Sequence, residues 1–403
     1  MMGRGPGLRA LAATFVTLGL AYGVWYAYSV FLVALLREFG WSRTVLSGAF
    51  SVFTLVHGAV GPLAGALADR VGPRRLTLAG GTLLTLGLVL DGSVSQPLHL
   101  YGAFGLVTAV GVAAAGWVPA VVLVQRWFPQ RVGTALGATS AGIGAGIFLV
   151  VPACQALVEL VGWRWAFRVL GAAIALWVIP ATLWLVREPP APAPAAPPAR
   201  AGTLTPRAAA RTPEFWMLAA AQGAAAFVNQ MLLVHQVAFL VDHAVTPLVA
   251  ASVVGVVGLA SVAGKVGGGW VSDRIGRAVT YTVGMALVAA AVGVLAVVAH
   301  RPVPLLAYGY GLLVGVGYAV TAPLLPALVN DLFRGPHFGA IFGLLHVANA
   351  LGGSLGPWVA GRVHDAWGTY APAFAGGVAA GLASVAAVWT ASARRRGRWT
   401  WAG

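Results

Sequence analysis

Lys265 is the single lysine of this chain, whose other basic side chains are all arginine. It stands in a long apolar run, eight residues before the charged group Asp273, Arg274 and Arg277 of GKVGGGWVSDRIGR. At 1.5 Å rise per residue, that spacing puts about 12 Å of helix between Lys265 and Asp273, too far for a direct pair. Two chemistries suit such an ammonium group. It can snorkel, laying its methylenes along apolar surface and its charge at an interface, or it can meet an anion inside an apolar cavity. A lysine buried without a partner gives up its proton readily and regains it when a carboxylate arrives, which links anion binding to proton uptake. A guanidinium group stays charged and cannot make that link.

The other polar side chains within apolar runs include His57, Asn229, Gln230, His235, His346 and Asn349, with Tyr26, Tyr28 and Tyr318 as amphipathic candidates. Such groups are costly in a bilayer and mark function or a buried partner. His346, Asn349 and Gly353 fall at i, i+3 and i+7, so they share one helix face, expected to meet a central cavity. His57, His235 and His346 belong to the one side-chain type that ordinarily titrates near neutral pH. A second constellation is GALADRVGPRR (65–75), with Gly65, Asp69, Arg70, Gly72, Arg74 and Arg75. Its partial copy, GWVSDRIGR (269–277), keeps Gly269, Asp273, Arg274, Gly276 and Arg277. The glycines let helices approach closely. A carboxylate among arginines can form a cluster that one conformation makes and another breaks, or it can serve only as a topology marker.

The elements that carry these groups follow from composition. The chain is 59% hydrophobic and 9% charged, with mean hydropathy +0.85, whereas soluble domains carry about 25% charged residues. An all-α integral membrane protein is the class that fits, because open sheet edges cannot face lipid. A hydrocarbon core of about 30 Å needs about 20 apolar residues per helix. Twelve runs meet that need: 8–36, 44–68, 76–95, 98–125, 132–158, 165–186, 214–241, 247–272, 279–299, 303–329, 337–361 and 370–393. The first has no convincing cleavage site and reads as a retained span rather than a signal peptide. With the N-terminus in the cytoplasm, 18 arginines fall inside and 6 outside, so the positive-inside rule puts both termini in the cytoplasm. The net charge of +15 is thus a topology signal and not a nucleic-acid footprint. Cys154 is the only cysteine, which excludes an internal disulfide and a cysteine metal cluster.

The Pro/Ala-rich segment 187–212 divides the chain into a six-helix half at 1–186 and another at 213–403. Asp69 and Asp273 are 204 residues apart, Pro152 and Pro357 are 205 apart, and Gly133-xxx-Gly137 returns as Gly339-xxx-Gly343 at 206. A six-helix unit duplicated in parallel is the plan of transporters that hold substrate between halves. GIGAG (142–146) lies inside an apolar run and is helix-packing glycine, not a phosphate loop. There is no Walker motif, HExxH or CxxC, so neither an ATP-driven pump nor an enzyme is expected, and no cofactor or metal. RRRGRW (394–399) reads as an interfacial anchor.

With these motifs in view, the chain resembles the major facilitator superfamily. GALADRVGPRR fits its loop signature G-x-x-x-D-R-x-G-x-R-R at every defined position, and the resemblance implies that this cluster latches the outward-facing state. YAYSVFLVALLREFGWSRTVLSGAFS (26–51), RWFPQRVGTALG (126–137), GWRWAF (162–167) and HQVAFLVDH (235–243) look like the monocarboxylate transporters and the oxalate:formate antiporter group. That group carries a carboxylate-binding arginine in span eight, where this chain has Lys265. Oxalate-specific members resemble FGLLHVANA (342–350) but place a second lysine where Asn349 stands. One intramembrane cation instead of two therefore points to a monoanion. The monocarboxylate transporters also use a span-one lysine and a span-eight aspartate, and the matching positions here are Val30 and Ser261.

The resemblance implies a secondary transporter working by alternating access and moving a small monocarboxylate with a proton. Lys265 is expected to bind the carboxylate, Asn349 and His346 to hydrogen-bond it, and Tyr26, Tyr28 and Tyr318 to shape the cavity. Lys265, His57 and His235 are the candidates for the proton. The lipid bilayer is the expected surroundings, and the Ala/Gly/Arg-rich composition suggests a bacterial inner membrane. A drug or uncharged-solute:proton transporter of the same superfamily, or a transporter-like receptor, are the other readings.

Overall fold

With no water in a bilayer core, a backbone must satisfy its own hydrogen bonds, and apolar runs of 20 to 30 residues do so as helices. A computed structural model describes residues 4–128, 132–188, 204–333 and 338–399, and all regular structure among them is helical. The linker residues 189–203, Arg131 and the 400–403 tail lie outside the described residues, as do the side chains of Asp69 and Asp273.

The helices are α1 (Arg4–Phe39), α2 (Arg43–Val71) and α3 (Pro73–Asp91), then α4 (Pro97–Leu100), which runs through a π-helix (Tyr101–Thr108) into α5 (Ala109–Ala115) and α6 (Trp117–Trp127). After them come α7 (Val132–Trp184), the short α8 (Pro206–Ala209), α9 (Pro213–Asp242), α10 (Pro247–Ile275), α11 (Arg277–His300), α12 (Pro304–Leu332), α13 (Phe338–Trp367) and α14 (Ala371–Trp399). Proline opens several of them, where its missing N–H costs nothing. At 53 residues α7 would run about 80 Å if straight, but Gly162, at φ 79° and ψ 159°, breaks it into two helices. The break falls between the fifth and sixth apolar runs. Nine helices among the described residues are long and apolar enough to cross a membrane.

By packing, the chain forms two units. The first is Met1–Ala193 with Leu233–Leu259, and the second is Pro194–Leu232 with Ala260–Gly403. In the first, an aromatic core stacks Tyr28 on Phe104 with centroids 4.3 Å apart, Phe31 on Phe167 at 3.6 Å, and Trp25 edge-on to Phe53 at 4.8 Å. In the second, the Tyr281 hydroxyl meets Ser384 Oγ at 2.6 Å, and Ser384 donates to the Ala221 carbonyl at 2.7 Å. Small residues bring helices together in both. A Cβ on Gly146 would collide with the Gly19 carbonyl, and one on Gly352 with the Gly223 carbonyl. The α1–α7 contact thus recurs as α9–α13, at offsets of 204 and 206 residues.

The α2–α3 and α10–α11 corners are also alike. Gly72 sits at φ 93°, ψ 144° and Gly276 at φ 91°, ψ 150°. Both donate N–H to the residue four back, Ala68 and Ser272, at 3.1 Å. Positive φ disfavours any Cβ by about 1–2 kcal/mol. A Cβ on Gly276 meets nothing, whereas one on Gly72 would lie 2.6 Å from the Glu188 carboxylate. Gly276→Ala is expected to lower stability by about 1 kcal/mol, and Gly72→Ala by more, read as detergent-solution melting temperatures. Equal losses would show that the Glu188 contact gives way freely.

Candidate functional site

Lys265 lies two-thirds of the way along α10, half-buried, beside glycines that admit a neighbouring helix. A Cβ on Gly264 would sit 2.8 Å from the Val316 carbonyl, and one on Gly268 3.0 Å from Val320 Cα. This close approach brings α12, and with it Tyr318, to the level of Lys265. Among the described residues Lys265 makes no hydrogen bond or ion pair, and the buried Tyr318 hydroxyl has no hydrogen-bond partner. In the same unit His346 on α13 is exposed, and Gln222 of α9 approaches its Nδ1 at 3.3 Å. Along the face His346–Asn349–Gly353 exposure falls from open to half-buried to buried. Asn229, on the same helix as Gln222, keeps a buried Oδ1 without a partner. The second unit thus holds Lys265, Gln222, Asn229, Asn349, Tyr318 and His346 on α9, α10, α12 and α13, with Gln222 and His346 in contact. Buried polar atoms are normally bonded, so Tyr318 and Asn229 mark places where a polar ligand or water would be welcome.

The first unit holds the remaining candidates in different roles. Tyr26 is half-buried and stacks on Trp25 at 6.5 Å. Tyr28 is fully buried, donates its hydroxyl to the Leu46 carbonyl at 2.5 Å and stacks on Phe104, so it joins α1 to α2 as packing. His57 is half-buried, with its ring edge-on to Trp25 at 4.6 Å. His235 is fully buried in a stretch of α9 with no exposed residue.

The charged corners are partly resolved into contacts. Arg74 donates from Nε to the Thr182 carbonyl at 2.9 Å and from Nη2 to the Leu183 carbonyl at 2.5 Å, tying the end of α7 to the start of α3. Its backbone N–H donates to Glu188 at 2.7 Å, and Arg126 reaches the same carboxylate at 4.0 Å. Arg70 and Arg75 are exposed, and Gly65 and Gly269 are half-buried. In the second unit Arg277 pairs with Asp331 at 2.8 Å, while Arg274 lies over the Trp270 ring at 3.5 Å. Glu188 and Asp331 are partners that the motif alone did not name.

Sequence reasoning also passed over Asp91, Gln222 and Trp25. Asp91 is fully buried, and one of its oxygens accepts from Thr108 Oγ1 at 2.8 Å. Trp25 has a buried indole N–H without a partner beside His57. A carboxylate inside an apolar run, as Asp91 is in 76–95, was the available signal for the first of these.

Comparisons place the chain among known proteins. The sequence model of the Major Facilitator Superfamily matches residues 14–357 and 226–401. Human monocarboxylate transporter 11 is 30% identical over 391 residues, covering 92% of this chain and 79% of that protein. The mouse monocarboxylate transporter 11 is 31% identical over 389 residues, covering 92% and 84%. Monocarboxylate transporter 13 of Bos taurus is 27% identical over 380 residues, covering 92% and 85%. In fold, the chain is similar to a bacterial homolog of the human lysosomal transporter Spinster in an inward-facing, unoccupied conformation, with TM-score 0.74 and 18% identity over 97% of this chain and 96% of that one. Sequence and fold agree: the chain is a multi-pass membrane protein of the major facilitator superfamily and belongs to its monocarboxylate transporter group.

Proposed function

We propose that this protein is a secondary transporter that carries a small monocarboxylate, together with a proton, by alternating access. The observation that carries the reading is Lys265, a half-buried cation inside α10 with no hydrogen bond or ion pair among the described residues, in a chain of the monocarboxylate transporter group. One cation matches one carboxylate. His346 and Asn349 on their shared face, with Gln222 behind His346, supply neutral donors for the rest of the solute. Tyr318 and Tyr26 shape the cavity, and Tyr28 supports the wall from its packed position. His57 and His235 are further candidates for the proton.

In this reading twelve spans cross the membrane. Dividing α7 at Gly162 and adding α3 and α13 to the other long helices gives that number. The 18-to-6 division of arginines puts both termini in the cytoplasm, the repeat boundary lies in 187–212, and the membrane is a bacterial inner membrane. His346 then lies toward the cytoplasmic end of α13, where its exposure suits a cavity that opens inward. The Asp69 and Asp273 motifs form the cytoplasmic latch with the arginines of 70–75 and 274–277.

The test is ligand-induced thermal stabilisation of the purified protein with lactate, with an amine and with a sugar. At ten times its Kd a ligand stabilises by about 1.4 kcal/mol through mass action. A shift with lactate that vanishes in Lys265→Gln is expected. A lactate shift that survives Lys265→Gln, or shifts produced by amines or sugars alone, would make Lys265 a snorkelling residue and turn the reading to a drug or uncharged-solute transporter.

A further inference from the structure

Arg43 is the first residue of α2, Asp242 is the last residue of α9, and the two meet within the first packing unit although they are 199 residues apart. One guanidinium nitrogen, Nη2, lies 2.8 Å from Asp242 Oδ2 and 2.9 Å from Oδ1. Only 12% of the Arg43 side chain and 33% of the Asp242 side chain is exposed. Asp242 ends its own helix, where the backbone dipole disfavours a negative charge, and reaches the start of α2, where a negative charge is favoured. The pair borders a cavity lined also by Val33, Leu36, Val241 and Arg37. Arg37 is exposed and has no ion pair among the described residues. The neighbouring carboxylate, Glu38, is taken by Trp163 Nε1 at 2.5 Å and by Arg164. Among the described residues this mouth therefore carries two cations, Arg37 and Arg43, and one carboxylate, Asp242.

Backbone packing also joins α10 to α7 within this unit. A Cβ on Gly258 of α10 would lie 2.6 Å from Ile147 and 2.8 Å from the Gly144 carbonyl of α7, and one on Gly255 would lie 3.1 Å from the Phe148 carbonyl. The later part of α9 and the first part of α10 thus pack against α1, α2 and α7, all inside one unit.

We propose that Arg43–Asp242 is an outer clamp with its own carboxylate subsite: an incoming monocarboxylate is caught by Arg37, takes the place of Asp242 on Arg43, and so releases the end of α9 from α2. This rests on the orientation and substrate class given above, which put these helix ends on the outer face and make the solute an anion. A carboxylate is the right competitor because it presents the same two oxygens that Asp242 presents, and the spare charge on Arg37 is what lets it approach. An amine or a sugar has no purchase on either arginine.

The test is access of a membrane-impermeant maleimide, added outside intact cells, to a cysteine placed at the cavity wall by Val33→Cys in a Cys154→Ser background. Ala238→Cys is a second reporter on the facing helix. Both native side chains are more than nine-tenths buried. Labelling is expected to rise severalfold in Asp242→Asn and in Arg43→Gln. It should rise with lactate in the otherwise native protein, and that response should be lost in Arg37→Gln. Lys265→Gln should keep the lactate response, because the subsite is not the central site. Labelling unchanged by Asp242→Asn and Arg43→Gln in both reporters overturns the clamp whatever the solute is. If those variants open the cavity but lactate does nothing while still stabilising the purified protein through Lys265, the outer subsite is wrong and the transport reading stands. If lactate neither opens nor stabilises, both fall.

Discussion

On the proposed function, a Lys265→Arg protein is expected to keep carboxylate uptake and to lose its dependence on protons. Arginine preserves the charge and adds a bidentate fork for a carboxylate, so binding survives if the longer, planar head fits. What it cannot preserve is a neutral form, since a guanidinium group does not deprotonate in proteins. In the native chain Lys265 makes no ion pair among the described residues. In the proposed mechanism the proton and the solute bind together by linkage. For one proton per solute, each unit of pH gradient supports about tenfold accumulation, equivalent to about 1.4 kcal/mol. The measurement is lactate accumulation in proteoliposomes with the outside one pH unit lower. The native protein should concentrate lactate toward that tenfold limit, and Lys265→Arg should equilibrate it at a ratio near one. Full concentration by the arginine variant would take the proton away from Lys265. Parallel substitutions of His57, His235 and His346 by glutamine would then find which of them carries it.

The elements that hold this site were legible to different degrees, for physical reasons. Hydropathy located the apolar runs because a bilayer demands length and composition above all else, and the turn at Gly162 fell where two runs met. The recurrence of GALADRVGPRR in the second half foretold a repeated corner, and Gly72 and Gly276 share one backbone conformation to within 6°. Rotation about a helix axis was not legible. A helix that is apolar all round gives no periodic signal of which face meets which neighbour, so Tyr28 looked like a cavity residue and is instead stacked on Phe104. Asp91 falls inside the third apolar run, 76–95, and hydropathy averaged over that run hid its carboxylate, which in the fold accepts a hydrogen bond from Thr108. The π-helix at Tyr101–Thr108 has no compositional mark at all. Ion pairs between distant segments, Arg43–Asp242 and Arg277–Asp331 among them, follow from topology and have no trace in local sequence.

Gly146→Val and Gly352→Val are expected to be among the most damaging glycine substitutions in the described residues, each acting on one copy of the same helix contact. In the first unit the Cβ position on Gly146 is occupied by the backbone of Gly19, and in the second the Cβ position on Gly352 is occupied by the backbone of Gly223. A side chain there meets a carbonyl group rather than the flexible end of a neighbour, so nothing can swing aside and the helices themselves must part. Lipid offers no hydrophobic drive to hold them, since tails are as apolar as the helices, and close packing is what joins α1 to α7 and α9 to α13. Overpacking commonly costs about 1–3 kcal/mol, and the loss here should lie at the upper end because backbone faces backbone on both sides. Gly293→Val, on α11 with nothing within 4 Å of its Cβ position, is the control for valine in an apolar helix. The readout is the fraction of monodisperse protein in detergent and its melting temperature. Gly146→Val and Gly352→Val should both aggregate or melt far below the control. A normal melt for either one would mean that its helix pair is held by contacts away from the glycines.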